Sequence, residues 1–106
     1  MGGRGSSSSG SQGFAFPDLT RDQHFRRHGA EFNAKSAAEY EQLAATFAQR
    51  KGEDGVESFY SKGKNLFMYE QTTNSFLIQK PNGDLMTFFK PTSATYWLDQ
   101  RMKYEG

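Results

Sequence analysis

The spacing of apolar residues changes once along this chain, near Gly52. Before it, Tyr40, Leu43, Ala44 and Phe47 recur at the three- and four-residue intervals of one helix face. Ser36-Ala-Ala-Glu39 ahead of them has the form of a capping box, so a helix is predicted over residues 37–51. An earlier helix is predicted over residues 21–28, with Thr20 and Gln23 as a second capping box and Gly29 as a left-handed C-cap. After Gly52 the apolar residues fall into short β-branched and aromatic runs, at 56–60, 66–69, 76–79 and 85–89. The segments SKGK, EQTTN and PNGD separate them, and the Asn82-Gly83 pair predicts a tight hairpin. Residues 96–102 fit either a last strand or a terminal helical turn. Helices first and strands after predict an α+β fold: two N-terminal helices packed on one face of an antiparallel sheet of about four to five strands.

Composition narrows the picture. A chain of 106 residues, 35% hydrophobic, has room for one modest core, and its ten phenylalanines predict a core of few, large side chains. Residues 1–13, MGGRGSSSSGSQG, lack the apolar content to order themselves and read as a flexible linker ahead of a single domain at 14–106. The absence of cysteine removes disulfides, thiolate metal sites and cysteine nucleophiles. A net charge of +1 says little about partners, so the placement of the basic residues matters more. No run approaches the roughly 20 apolar residues of a membrane span. None has the plan of a signal peptide, so no export signal and no membrane anchor are expected.

Two stretches carry candidate chemistry. HFRRHGAEF, residues 24–32, contains both histidines. On a helix Arg21, His24, Phe25 and His28 share one sector, with Arg27 just outside it. Fixed positive neighbours lower a histidine's pKa and leave it a neutral proton acceptor, while Arg21 and Arg27 can hold a phosphate. Two histidines on a short helix are also commonly solvated or packed residues, and the segment alone does not separate the readings. His-x-x-x-His matches zinc-ligand spacing, but a third ligand is lacking and the intervening arginines repel a cation, so no metal is expected. The second stretch is PNGDLMTFFKP, residues 81–91. Strict alternation over 85–89 sets Met86 and Phe88 on the core face and Thr87 and Phe89 outward, a hydroxyl beside a stacking surface. A half-buried strand often carries Thr and Phe in any case. Lys62, Lys64, Lys80 and Lys90 add positive charge to the strand half.

From His24 to Lys90 these stretches, in this order, resemble the colicin D-like and contact-dependent-inhibition toxin nuclease tips of the barnase–EndoU–colicin–RelE superfold. RRHGAEF resembles the family's basic residue and histidine followed by a small residue and an acidic-Phe pair. KGKNLFMYEQTTNSFLIQKPNGDLMTFFK resembles its run of strands ending in Asn-Gly, a hydroxyl residue, an aromatic two positions on and a lysine. The resemblance covers about two thirds of the chain. It implies His28 as the catalytic histidine, Arg27 as its basic neighbour in place of a lysine, Thr87 in place of a serine and Phe89 in place of a tryptophan. Lys90 would add charge, and His24 would transfer a second proton or shape the pocket. Phe89, Arg21, Lys62, Lys80 and Tyr96 would contact substrate.

The activity so implied is metal-independent and cofactor-independent cleavage of RNA, with tRNA as substrate, by 2′-OH attack to a 2′,3′-cyclic phosphate. The expected partner is an acidic immunity protein in a 1:1 complex with an otherwise monomeric domain. Delivery would be as the C-terminal tip of a larger secreted bacterial toxin acting in the target-cell cytoplasm. The alternative is a non-catalytic RNA- or protein-binding module using the same basic helix and aromatic strand.

Overall fold

The computed structural model describes residues 14–105; the predicted linker at 1–13 lies outside them. Among the described residues, three helices and one four-stranded antiparallel sheet make up an α+β fold. Helix α1 spans Asp18–His28 and runs into a 3-10 turn, Gly29–Phe32. Helix α2 spans Ala37–Ala48. Strands β1 (Val56–Tyr60), β2 (Leu66–Glu70), β3 (Ser75–Gln79) and β4 (Leu85–Phe89) follow in spatial order β1-β2-β3-β4, and α3, Tyr96–Tyr104, closes the chain. The ambiguity over residues 96–102 thus resolves to helix.

The first helix starts earlier than the Thr20 box predicts. Pro17, its φ at −54°, precedes the first turn, and its carbonyl accepts from the Thr20 and Arg21 N–H groups. The Thr20 hydroxyl donates back to that same carbonyl, so it caps nothing. Gly29 is not a left-handed cap either: its φ is −57°. Glycine stands there because a Cβ would lie 2.5 Å from Cδ1 of Phe25, whose ring packs on Tyr40. The left-handed residue is Asn33, φ 57°, which ends the 3-10 turn. The second capping box forms, with Ser36 Oγ accepting from the Glu39 N–H at 3.1 Å. Glu39 reaches one residue further back than in the standard box and accepts from the Lys35 N–H. Helix α2 stops three residues short of the predicted 51, and Gly52, φ 91°, turns the chain toward β1.

Helices α1 and α2 cover one sheet face over a core of Phe16, Tyr40, Phe47, Met68, Leu77 and Phe88. The other face is not left to solvent, as the one-sided prediction had it. Trp97 of α3 lies there against Phe59, Phe67 and Phe76, and its indole N–H donates to Glu57 at 3.1 Å. Strands β2 and β3, buried on both sides, therefore lack alternation.

Strand β4 departs from its predicted facing. Gln79 pairs with Leu85 and Ile78 with Thr87, so Met86 is an extra residue bulged out of the ladder. Leu85 consequently turns into the α1–α2 core, 1% exposed, while Met86 is 37% exposed. Beyond the bulge, Phe88 faces the α1–α2 core and Phe89 the α3 side.

Candidate functional site

The bulge and the 3-10 turn together bring the two candidate stretches into contact. The turn after α1 swings Glu31 back under His28, whose Nδ1 lies 2.8 Å from Glu31 Oε2. The other oxygen of the same carboxylate, Oε1, accepts from the backbone N–H of Lys90 at 2.7 Å. One side chain thus ties the end of α1 to the end of β4, with Glu31 and Lys90 59 residues apart in the chain. A carboxylate can only accept, so it selects the Nδ1–H form of the neutral imidazole and leaves the Nε2 lone pair unshared.

The His28 ring stacks on Phe89, with centroids 5.2 Å apart and planes at 28°. Phe89 is itself held edge-on by Phe76 and by Tyr96 of α3. Because α1 lies on the Phe88 side and Phe89 points the other way, His28 reaches around the open edge of β4 to make this stack. His24 continues the row one turn back, between His28 at 6.5 Å and Phe16 at 4.9 Å. Its Nδ1 is buried without a partner. Burial lowers its pKa, reinforced by the charges of His28 and Arg27. The fixed positive charges invoked for this helix are thus the smaller cause.

Lys90 and Arg50 rim a cavity of about 420 Å³ on the α2 side, floored by Phe32, Leu43 and Phe47. The Lys90 ammonium sits 4.7 Å over the Phe32 ring and donates to the Thr73 carbonyl. Arg50 is engaged by Glu70, with Nη1 to Oε1 at 3.1 Å and Nη2 to Oε2 at 2.5 Å, and by Glu53 through Nε at 2.9 Å. That hydrogen bonding, with a further bond from Thr73, holds the Glu70 carboxyl below its usual range. The arrangement anchors the end of α2 to β2.

The structure therefore gathers His28, Phe89, Tyr96 and Lys90, with His24 one turn away. Thr87 precedes Phe89 by two residues on the same strand face, half-buried and paired with Ile78. Arg27 is exposed on the His28 turn. Arg21 lies seven residues back from His28, 3.8 Å from Glu41 of α2, with its Nε buried without a hydrogen bond and 3.9 Å from Asp22. Lys62 and Lys80 are not part of this group. They flank the Tyr60–Leu66–Gln79–Leu85 row at the opposite end of the sheet. Among the described residues no three His, Asp or Glu side chains assemble a ligand set, and the two histidine rings stack rather than converge. No helix of the described residues is long and apolar enough to cross a membrane.

Glu31 stands in the acidic-Phe pair of RRHGAEF, but the sequence assigns it no role. Its signal is its position three residues after His28, the helical spacing at which a carboxylate reaches an imidazole. No family model matches the chain, and no curated protein matches it significantly.

Proposed function

We propose that this domain is a metal-independent endoribonuclease of the colicin D-like toxin kind, acting on tRNA. The observation that carries the reading is the double engagement of Glu31, which orients His28 and fixes it beside the end of β4. A histidine with its Nδ1–H committed and its Nε2 lone pair free is a general base, an assistance typically worth about 10²- to 10⁴-fold.

In the reaction Nε2 of His28 takes the proton of a ribose 2′-OH, whose oxygen attacks the adjacent phosphorus. The bond from phosphorus to the 5′-oxygen breaks, and the His28 imidazolium returns the proton to that oxygen. The products are a 2′,3′-cyclic phosphate and a 5′-OH end. Arg27 and, from the cavity rim, Lys90 stabilise the pentacovalent phosphate, and the Thr87 hydroxyl donates to a non-bridging oxygen. His24, held neutral and wedged between rings, supports His28 rather than serving as the acid. Phe89 takes the same supporting role, since its face carries the His28 ring. Tyr96 steadies Phe89 in turn.

The biological setting that fits is a toxin tip delivered by a larger secreted protein into a target cell. In the producing cell an acidic immunity protein would cover the basic His28 end.

The test is incubation with total RNA in EDTA. Discrete tRNA fragments are expected, with 5′-OH ends that a polynucleotide kinase labels without prior phosphatase. They should fall at least 100-fold for His28→Ala. Intact RNA, or equal cutting by that variant, overturns the proposal, and intact RNA that is still bound tightly marks a non-catalytic binding module.

A further inference from the structure

At the far end of the sheet from His28, the β1–β2 loop and the β3–β4 turn enclose an open groove of about 720 Å³. Tyr60, Ser61, Lys62, Lys64 and Pro81 line it, and Lys80 precedes Pro81 in the turn. Tyr60 is 54% exposed, unusual for an aromatic on a strand of this small sheet. The Lys51 ammonium lies 5.5 Å from the centre of its ring. Lys64 holds a left-handed backbone, φ 69°, a conformation that disfavours any residue with a Cβ. The loop is fixed there by hydrogen bonds from the Ser61 and Lys64 N–H groups to the Asn65 and Ser61 carbonyls, and from the Asn65 N–H to Ser61 Oγ. Two carboxylates nearby are committed elsewhere. Asp84 accepts from its own turn through its neighbour Asn82, and Glu105 pairs with Arg101.

The geometry points to this groove as a second RNA-binding site, separate from the reaction site and resting on the ribonuclease reading for the identity of the polyanion. An exposed aromatic face ringed by lysines is the combination that holds a nucleic-acid strand. The ring stacks one base, and Lys51, Lys62, Lys64 and Lys80 neutralise the phosphates on either side. A free phosphate or an acidic peptide would use the lysines and leave Tyr60 idle. Measured in the plane of the sheet, Tyr60 and Phe89 stand three strand spacings and three residues apart, roughly 17 Å at about 4.8 Å between strands and 3.3 Å per residue, and their rings lie on opposite faces. The groove therefore grips RNA several nucleotides from the bond that is cut, favouring long, folded substrates over short ones.

The experiment measures binding, so it reads independently of cleavage. In the His28→Ala background, the affinity for a fluorescein-labelled single-stranded RNA is followed by anisotropy across a salt series. Lys62→Ala, Lys64→Ala and Lys80→Ala combined should lower the slope of log Kd against log salt by about 2, at about 0.7 per phosphate contact on a single strand. Tyr60→Ala should weaken binding roughly tenfold with the slope unchanged. Circular dichroism melts of both variants report whether either has lost its fold, and Tyr60→Phe, which keeps the ring, should bind as the parent does. A parent-like slope in the triple variant overturns the proposal. So does parent-like affinity in Tyr60→Ala, or a heparin affinity that changes in step with the RNA affinity in every variant. If instead the parent leaves RNA uncut while these shifts appear, the ribonuclease reading fails and the groove stands.

Discussion

Glu31 is the side chain on which the proposed chemistry turns, and its two bonds can be separated by mutation. Glu31→Gln keeps an oxygen for the Lys90 N–H but replaces the anion facing His28 with a neutral amide. Cleavage should fall at least tenfold in kcat with little change in KM, because orientation of a base acts on the transition state rather than on substrate binding. Loss confined to KM would mean that Glu31 only shapes the surface. Gly29 makes a purely structural case. Its backbone, φ −57°, suits alanine, worth about 1 kcal/mol of helix propensity. The Cβ would nevertheless meet Phe25 at 2.5 Å, and such overpacking costs about 1–3 kcal/mol. Gly29→Ala should thus lower Tm by several degrees, and adding Phe25→Leu should recover the loss; thermal melts of the pair decide it. His24 gives a pH signature. Its folded pKa is lowered from 6.5, so the unfolded chain binds the extra proton more readily as pH falls. The stability held above the unfolded pKa is therefore lost as pH drops through about 6.5 toward the folded value. In His24→Phe, a ring that keeps the stack on Phe16 without titrating, urea midpoints between pH 7.5 and 5 should lose that part of their slope. An unchanged slope would assign the pH dependence to other groups.

Among the elements, β4 shows where reading by alternation succeeds and where it stops. Its bounds, Leu85–Phe89, and the PNGD hairpin are legible in the sequence, because Gly83 alone meets the φ of 100° that the turn requires. The facing of Leu85 and Met86 is not legible, since a bulge inserts one residue and leaves no mark in a pattern of five apolar or β-branched side chains. Substitution distinguishes the two positions. Leu85→Ala should cost about 2–5 kcal/mol, whereas Met86→Lys should stay within about 0.5 kcal/mol of the parent; equal losses in denaturant melts would place both side chains in the core. The helix boundaries obey the same logic. Ser36 caps α2 as its spacing predicts, with Glu39 reaching back to the Lys35 N–H instead of the Ser36 N–H, but Thr20 sits where Pro17 has already set the first turn. A cap motif is informative only where no stronger constraint lies nearby. The candidate site was half legible for a related reason: His28 and Phe89 stand in recognisable stretches, yet the residue joining them, Glu31, acts through a 3-10 turn that periodicity does not register.

At the scale of the whole molecule, the sheet is a shared wall between two aromatic cores, and the smaller one depends on α3 alone. The uninterrupted apolar runs of β2 and β3 carried the hint of burial on both faces, but the helix that covers the second face comes last and buries only Trp97 fully, with Leu98 and Met102 exposed. Trp97→Ala should cost about 3–5 kcal/mol, a large part of the roughly 5–15 kcal/mol that holds a small domain together; retention of the parent's urea midpoint would show the second core to be dispensable. The same architecture bears on how the domain stays in solution. Both lateral strands of a four-stranded sheet offer unpaired backbone groups to any other chain. Here Ala15 bridges Asp84 just ahead of β4, while Glu105 bridges Ser61 just past the end of β1. Short contacts from near the two ends of the described chain therefore act as stoppers against strand-by-strand growth. A version trimmed to residues 16–104 would keep every strand and the core ring of Phe16, yet light scattering should find it assembling into fibrils.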